Sequence, residues 1–200
     1  MSPASSAPPL KDEMRRILTV ARSLSNLSAE DLTTLHALAD VCMPWADEVA
    51  TQIHRILEAN EATRIYVNTY LDGDPAAWYR GLFQATNIYD FWFRQTILAV
   101  GHVRNEVPTE VVVGLAPRWI NLLTRRAQHA LPPEQAKAFT NAMPRILSST
   151  VTVLVATHEL ITKRTFMEET GFSPILIQRL RLNTLKTFVR QIQEEMQSLQ

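Results

Sequence analysis

The strongest constraint on this chain is the spacing of its apolar residues. Almost everywhere they recur at intervals of three and four, and almost nowhere do they alternate. That is the period of a helix with one buried face. Val111, Val112 and Val113 favour strands individually, but they sit inside a long helical pattern. The 5 glycines are also too few for the many tight turns of a sheet protein. The expectation is an all-α fold, with helices too numerous and too uneven in length for a simple four-helix bundle.

The elements follow in order. Residues 1–9 are mostly Ser, Ala and Pro, and are expected to form a flexible tail that buries too little to offset its ordering entropy. Met14, Ile17, Leu18 and Ala21 mark a helix over about 10–24. Ser28 and Asp31 read as a capping signal, followed by Leu32, Leu35, Ala39 and Cys42 until Pro44 interrupts or kinks the helix. Trp45–Asn60 carries Val49, Ile53, Ile56 and Leu57 on one face, with His54 at its edge. A short run, Arg64–Leu71, offers Ile65, Tyr66 and Tyr70 for burial. Leu71–Pro75 is a turn in which Asp74 caps the next helix and Pro75 opens it. That helix carries Trp78, Leu82 and Phe83.

Three longer helices are expected over Tyr89–Arg104, over Thr109–Ala130, and from the Leu131–Glu134 loop to about Arg164. Pro117 and Pro144 are expected to bend the last two. The stretch Ile146–Leu160 is almost wholly apolar or Ser/Thr, which implies burial on more than one side and hints at a subunit interface. Gly171 ends this part of the chain, and Ser173-Pro174 starts another helix. Its Leu182, Leu185, Val189, Ile192, Met196 and Leu199 step 3-4-3-4-3, the seam of a heptad repeat. It either packs back on its own domain or pairs as a dimer helix. The expected organisation is therefore a tail over 1–9, a domain over 10–165 and an amphipathic helix over 172–200.

Composition excludes several classes. Formal net charge is +0, so no global attraction for nucleic acid or an anionic membrane is expected. No run approaches the roughly 18 apolar residues of a membrane span. The N-terminus has no apolar signal core, and a single cysteine, Cys42, suits a reducing compartment, so a cytoplasmic location is expected. Cys42 lies on an apolar stripe and reads as a packed thiol. Nucleotide loops, nucleophile elbows and zinc-protease motifs are missing from the sequence, as is the paired Glu-x-x-His of di-iron bundles.

The five histidines are the remaining candidates for chemistry. His129 sits near a helix end, where its charge suits the dipole. His36 and His158 are in register with apolar neighbours and face the core by spacing. His54 borders its stripe. His102 follows Leu98 and Ala99 by one turn and closes the aromatic helix that begins at Tyr89. An apolar helix ending in one histidine suits a haem ligand, and it equally suits a plain core helix. Helix position alone does not decide between them. Trp45, Trp78, Phe83, Phe91, Trp92 and Phe93 would suit an apolar cofactor slot, though aromatics at this spacing are ordinary core as well.

One segment resembles a known family. Gly101-His102-Val103-Arg104, then Val107-Pro108, then Val111-Val112-Val113-Gly114 is similar to the proximal segment of the globin-coupled sensors and protoglobins. The likeness spans about residues 28–160. It implies a globin-like three-over-three helical sandwich with an extra N-terminal and an extra C-terminal helix. His102 would be the proximal ligand of haem b, with Trp78, Leu82, Phe91 and Leu98 lining the cofactor and His54 as the distal residue. The family has Phe-Tyr where this chain has Ile53-His54, and apolar or Gly residues where it has Asn105-Glu106.

The expected function is a sensor for a diatomic gas (O2, CO or NO), a homodimer that passes ligand state to a downstream signalling partner. No kinase, cyclase or methyl-accepting region is expected in these residues. Two other readings stand beside it: a haem-free, globin-like interaction module, and a haem enzyme such as an NO dioxygenase drawing on an external reductase.

Overall fold

The computed structural model describes residues 8–67, 74–180, 184–185, 189 and 191–192. Among these residues the structure is all-α and contains no strand. No helix among them is long and apolar enough to cross a membrane. The expected burial of Tyr70, the start of the turn at Leu71, and seam residues Leu182, Met196 and Leu199 lie outside the described residues.

Helix α1 (Leu10–Ser25) ends at Asn26, whose left-handed conformation turns the chain. Helix α2 (Ala29–Ala37) opens with a capping box: Asp31 N–H donates to Ser28 Oγ at 3.4 Å and Ser28 N–H donates to Asp31 Oδ2 at 2.9 Å. Helix α3 (Ala39–Cys42) gives way at Pro44 to a single tight turn over Met43–Trp45, the interruption expected there. Helices α4 (Ala46–Glu58), α5 (Glu61–Arg64) and α6 (Pro75–Phe83) follow, and the Asp74 carboxylate accepts from Ala77 N–H at 2.9 Å to cap α6. Ile65, expected to be buried, is 70% exposed, because the chain turns just after α5 and lifts it off the core.

Helix α7 (Ile88–Arg104) starts at Asn87, whose side-chain oxygen accepts from the N–H groups of Tyr89 and Asp90. Helix α8 (Thr109–Ala130) and helix α9 (Pro133–Thr170) each contain a proline yet run on as single helices. Pro117 and Pro144 each remove one ladder bond without ending the helix. Helix α9 continues past the expected end at Arg164 to Gly171, whose φ of +67° favours glycine. A further helical segment over 174–180 begins where Ser173 Oγ accepts from Leu176 N–H at 3.2 Å.

Helix α9 is the centre of the packing. It lies against α8, α7, α1 and α2, while α4 packs on α6. One continuous apolar core runs from Ala21 on α1 to Leu154 on α9. Within Ile146–Leu160 only Ser148 and Glu159 are exposed. The rest of that stretch is buried or half-buried against the helices packed around it.

Two ion pairs fasten the layers. Asp31, only 3% exposed, receives two hydrogen bonds from Arg145 Nε at 3.0 and 3.1 Å and another from its Nη2. Burial alone would raise the Asp31 pKa, but the bonds from Arg145 and Ser28 hold it below the usual carboxylate value. Glu13 on α1 accepts from Arg164 Nε on α9 at 2.8 Å.

Candidate functional site

The backbone fixes His102 before its side chain meets anything. Val107 N–H donates to His102 O at 2.9 Å, and Glu106 N–H donates to Val103 O at 3.2 Å. Together with the left-handed φ of +53° at Glu106, this is a Schellman ending to α7. Val107 is 1% exposed and seals the turn against the core. Glu106 thus occupies a position that favours glycine; the family likeness leads one to expect apolar or Gly residues there.

The His102 side chain lines a cavity of about 100 Å³ where α7, α8 and α9 converge beside the start of α6. The main walls are Trp78, Leu98, Val112, Leu115, Trp119 and Leu154. Trp78 and Trp119 meet edge to face with centroids 5.0 Å apart. Trp78 is held in turn by its indole N–H, which donates to Oε1 of the buried Gln95 at 3.0 Å. Burial in these walls, with a smaller push from the nearby charge of His158, lowers the His102 pKa to about 4. The imidazole is therefore neutral at pH 7, the state in which it ligates a metal.

The expected site residues separate into two groups. His102, Trp78 and Leu98 come together around the cavity. Leu82 and Phe91 are fully buried in the core and are not among the cavity's lining residues. His54 does not reach the cavity either: half-buried on α4, it points its Nε2 at Glu58 Oε1, 3.1 Å away. Of the other proposed aromatics, Phe93 is 64% exposed, while Trp92 is buried and donates to Ser149 Oγ at 3.1 Å.

The remaining histidines have local roles. His36, expected to face the core, is exposed; its Nε2–H donates to the Ala85 carbonyl at 2.6 Å and ties α2 to the loop after α6. His129 Nδ1–H donates to Arg125 O at 2.6 Å. His158 is half-buried and faces the gap between α9 and the terminal helix. Cys42 is a buried thiol whose pKa burial pushes up to about 12, as a packed cysteine requires. Among the described residues no cluster of three or more His, Cys, Asp or Glu side chains is arranged to hold a metal ion.

Sequence reasoning missed as site residues the walls contributed by α8 and α9, above all Trp119 and Thr150. Trp119 follows Leu115 by one turn on an apolar face, which marks it for burial but not as a cavity wall. The signal for Thr150 was a hydroxyl within an apolar run, which by itself does not say what it faces.

No protein-family model matches the chain, and no curated protein matches it significantly. The likeness to sensor globins therefore rests on the segment around His102 and the helical order about it.

Two predictions follow from this geometry. Replacing Glu106 with Gly relieves a left-handed non-glycine residue, so E106G is expected to be more stable by about 1 kcal/mol in urea unfolding. For His102 the folded pKa lies below the unfolded one, so its contribution to stability is complete above about pH 6.5. It is lost as pH falls toward 4. Urea midpoints measured at pH 7 and pH 4.5 are expected to show a loss on the order of 2 kcal/mol that His102→Gln largely removes.

Proposed function

We propose that this chain is a globin-like haem protein, a dimeric gas sensor in which His102 is the axial imidazole. One observation carries the reading. The histidine singled out by its resemblance to the proximal segment of sensor globins lines an apolar, tryptophan-walled cavity and is kept neutral there. Donor and lining both fit the chemistry of a haem. The volume is the part that must change. A cavity of about 100 Å³ is smaller than the roughly 300–1,000 Å³ of common ligand pockets. Admitting a macrocycle requires wall side chains to part, and Trp78 and Trp119, in edge contact across the cavity, are the bulkiest of them.

Haem, when bound, supplies an iron whose open position takes O2, CO or NO. The chain's own residues do the rest. The Schellman turn holds the backbone of His102, Leu98 and Leu154 exclude water, and the Gln95 bond orients Trp78. With His54 engaged by Glu58, the reading assigns His54 no bond to iron.

Dimerisation and signalling to a partner belong to the same proposal. Apolar surface suited to both is present: Tyr89, Phe93, Ile97 and Val100 are exposed along α7, and Leu185 and Ile192 along the terminal helix. A haem-free interaction module is the second reading, and the small cavity favours it.

Added haemin is expected to give a Soret band that His102→Ala abolishes and His54→Ala leaves unchanged, with a five-coordinate ferrous spectrum in the parent. A chain that takes up no haemin leaves the interaction module as the better account, and a six-coordinate ferrous spectrum that His54→Ala converts restores His54 as a ligand.

A further inference from the structure

Four large apolar side chains stand in solvent along one line of α7. Tyr89, Phe93, Ile97 and Val100 recur at helical spacing, with exposures from 45% at Val100 to 72% at Tyr89. Single exposed apolar residues are ordinary on a protein surface, whereas a contiguous row of them marks an interaction surface. The row is also held in place. Phe91, Trp92, Gln95 and Ala99 on the inner face of α7 are buried, and Tyr89 meets Trp92 edge to face with centroids 6.0 Å apart. Opposite charges border the row at its two ends, Asp90 in the first turn of the helix and the exposed Arg104 in the last.

We propose that a second copy of this chain covers this face, with the two α7 helices packed antiparallel across a two-fold axis at Ile97. Length, charge and shape each favour a copy over an unrelated partner. The row runs along most of the 17 residues of α7, roughly 25 Å of helix, and a second α7 is apolar over the same length. Antiparallel packing lays Asp90 of each copy beside Arg104 of the other, whereas parallel packing sets each charge against its like. Asp90 Oδ1 accepts from Arg94 Nε at 3.2 Å within its own copy, and a carboxylate oxygen has room for a second donor. The same arrangement brings the Phe93 ring of each copy against Ile97 and Val100 of the other, a large side chain between two smaller ones. His102 lies on the inner side of this helix, so the interface braces the element that carries the histidine. The inference names the surface of the proposed dimer; it rests on that dimeric reading and not on haem.

Sedimentation equilibrium of the full chain, without added haemin, tests it. The parent is expected to be a dimer. Ile97→Glu puts two carboxylates at the axis, where the interface would bury them. It is expected to halve the mass and leave the far-UV spectrum unchanged, since Ile97 faces solvent in the single chain. Leu185→Glu, at an exposed position of the terminal helix, is expected to leave the dimer intact. Cysteine substitutions report direction. Under mild oxidation Ile97→Cys is expected to give a covalent dimer and Phe93→Cys none, because antiparallel packing places the two Phe93 positions on opposite sides of the axis. A covalent dimer from Phe93→Cys overturns the antiparallel arrangement. A dimer that survives Ile97→Glu overturns the α7 interface and leaves the dimeric reading standing. A monomeric parent overturns both.

Discussion

The structure depends on one long helix finding cover on several sides at once. Helix α9 spans 38 residues and lies against α8, α7, α1 and α2. No single neighbour is long enough to bury it, so the neighbours are fixed relative to one another through it. The buried Asp31 shows how tightly. Its carboxylate caps α2 and binds Arg145 of α9 at the same time, so the entry of one helix and the rotation of another are set by the same side chain. Leaving such a carboxylate unpaired in the interior costs several kcal/mol, roughly 3 or more, which makes alternative rotations of α2 unfavourable.

The cavity is a consequence of that arrangement. Helices α7 and α8 are joined by a turn so tight that the Val107 N–H reaches back to His102 O. His102, just before that turn, lines one cavity with Thr150 and Leu154 of α9. A neutral imidazole and two indoles then share a small space.

Element ends were legible in the sequence because they are decided locally. The Ser28–Asp31 box, the Asp74-Pro75 start and the Gly171 stop each satisfy backbone groups within a few residues, and each lies where the pattern put it. The helices containing Pro117 and Pro144 are continuous, as the helical pattern on either side of each proline led one to expect. The site was legible only in part. Periodicity says which face of a helix is apolar, not which other faces it will meet. Trp78, Leu98 and His102 converge, but Leu82 and Phe91 face other parts of the core. Edge residues are less legible still. His54 lies within reach of both core and solvent, and Glu58 one turn on takes its imidazole. His36 was in register with the core, yet it is exposed and bonds the Ala85 carbonyl.

The central proposal is that His102 would ligate the iron of a haem held in this cavity. The most direct measurement is haemin binding by His102→Gly, followed by absorption with and without free imidazole. If the claim is right, the variant binds haemin poorly, and millimolar imidazole restores a spectrum close to the parent's by occupying the space the side chain left. A variant that binds haemin as the parent does without imidazole contradicts the claim, as does a parent chain that takes up no haemin.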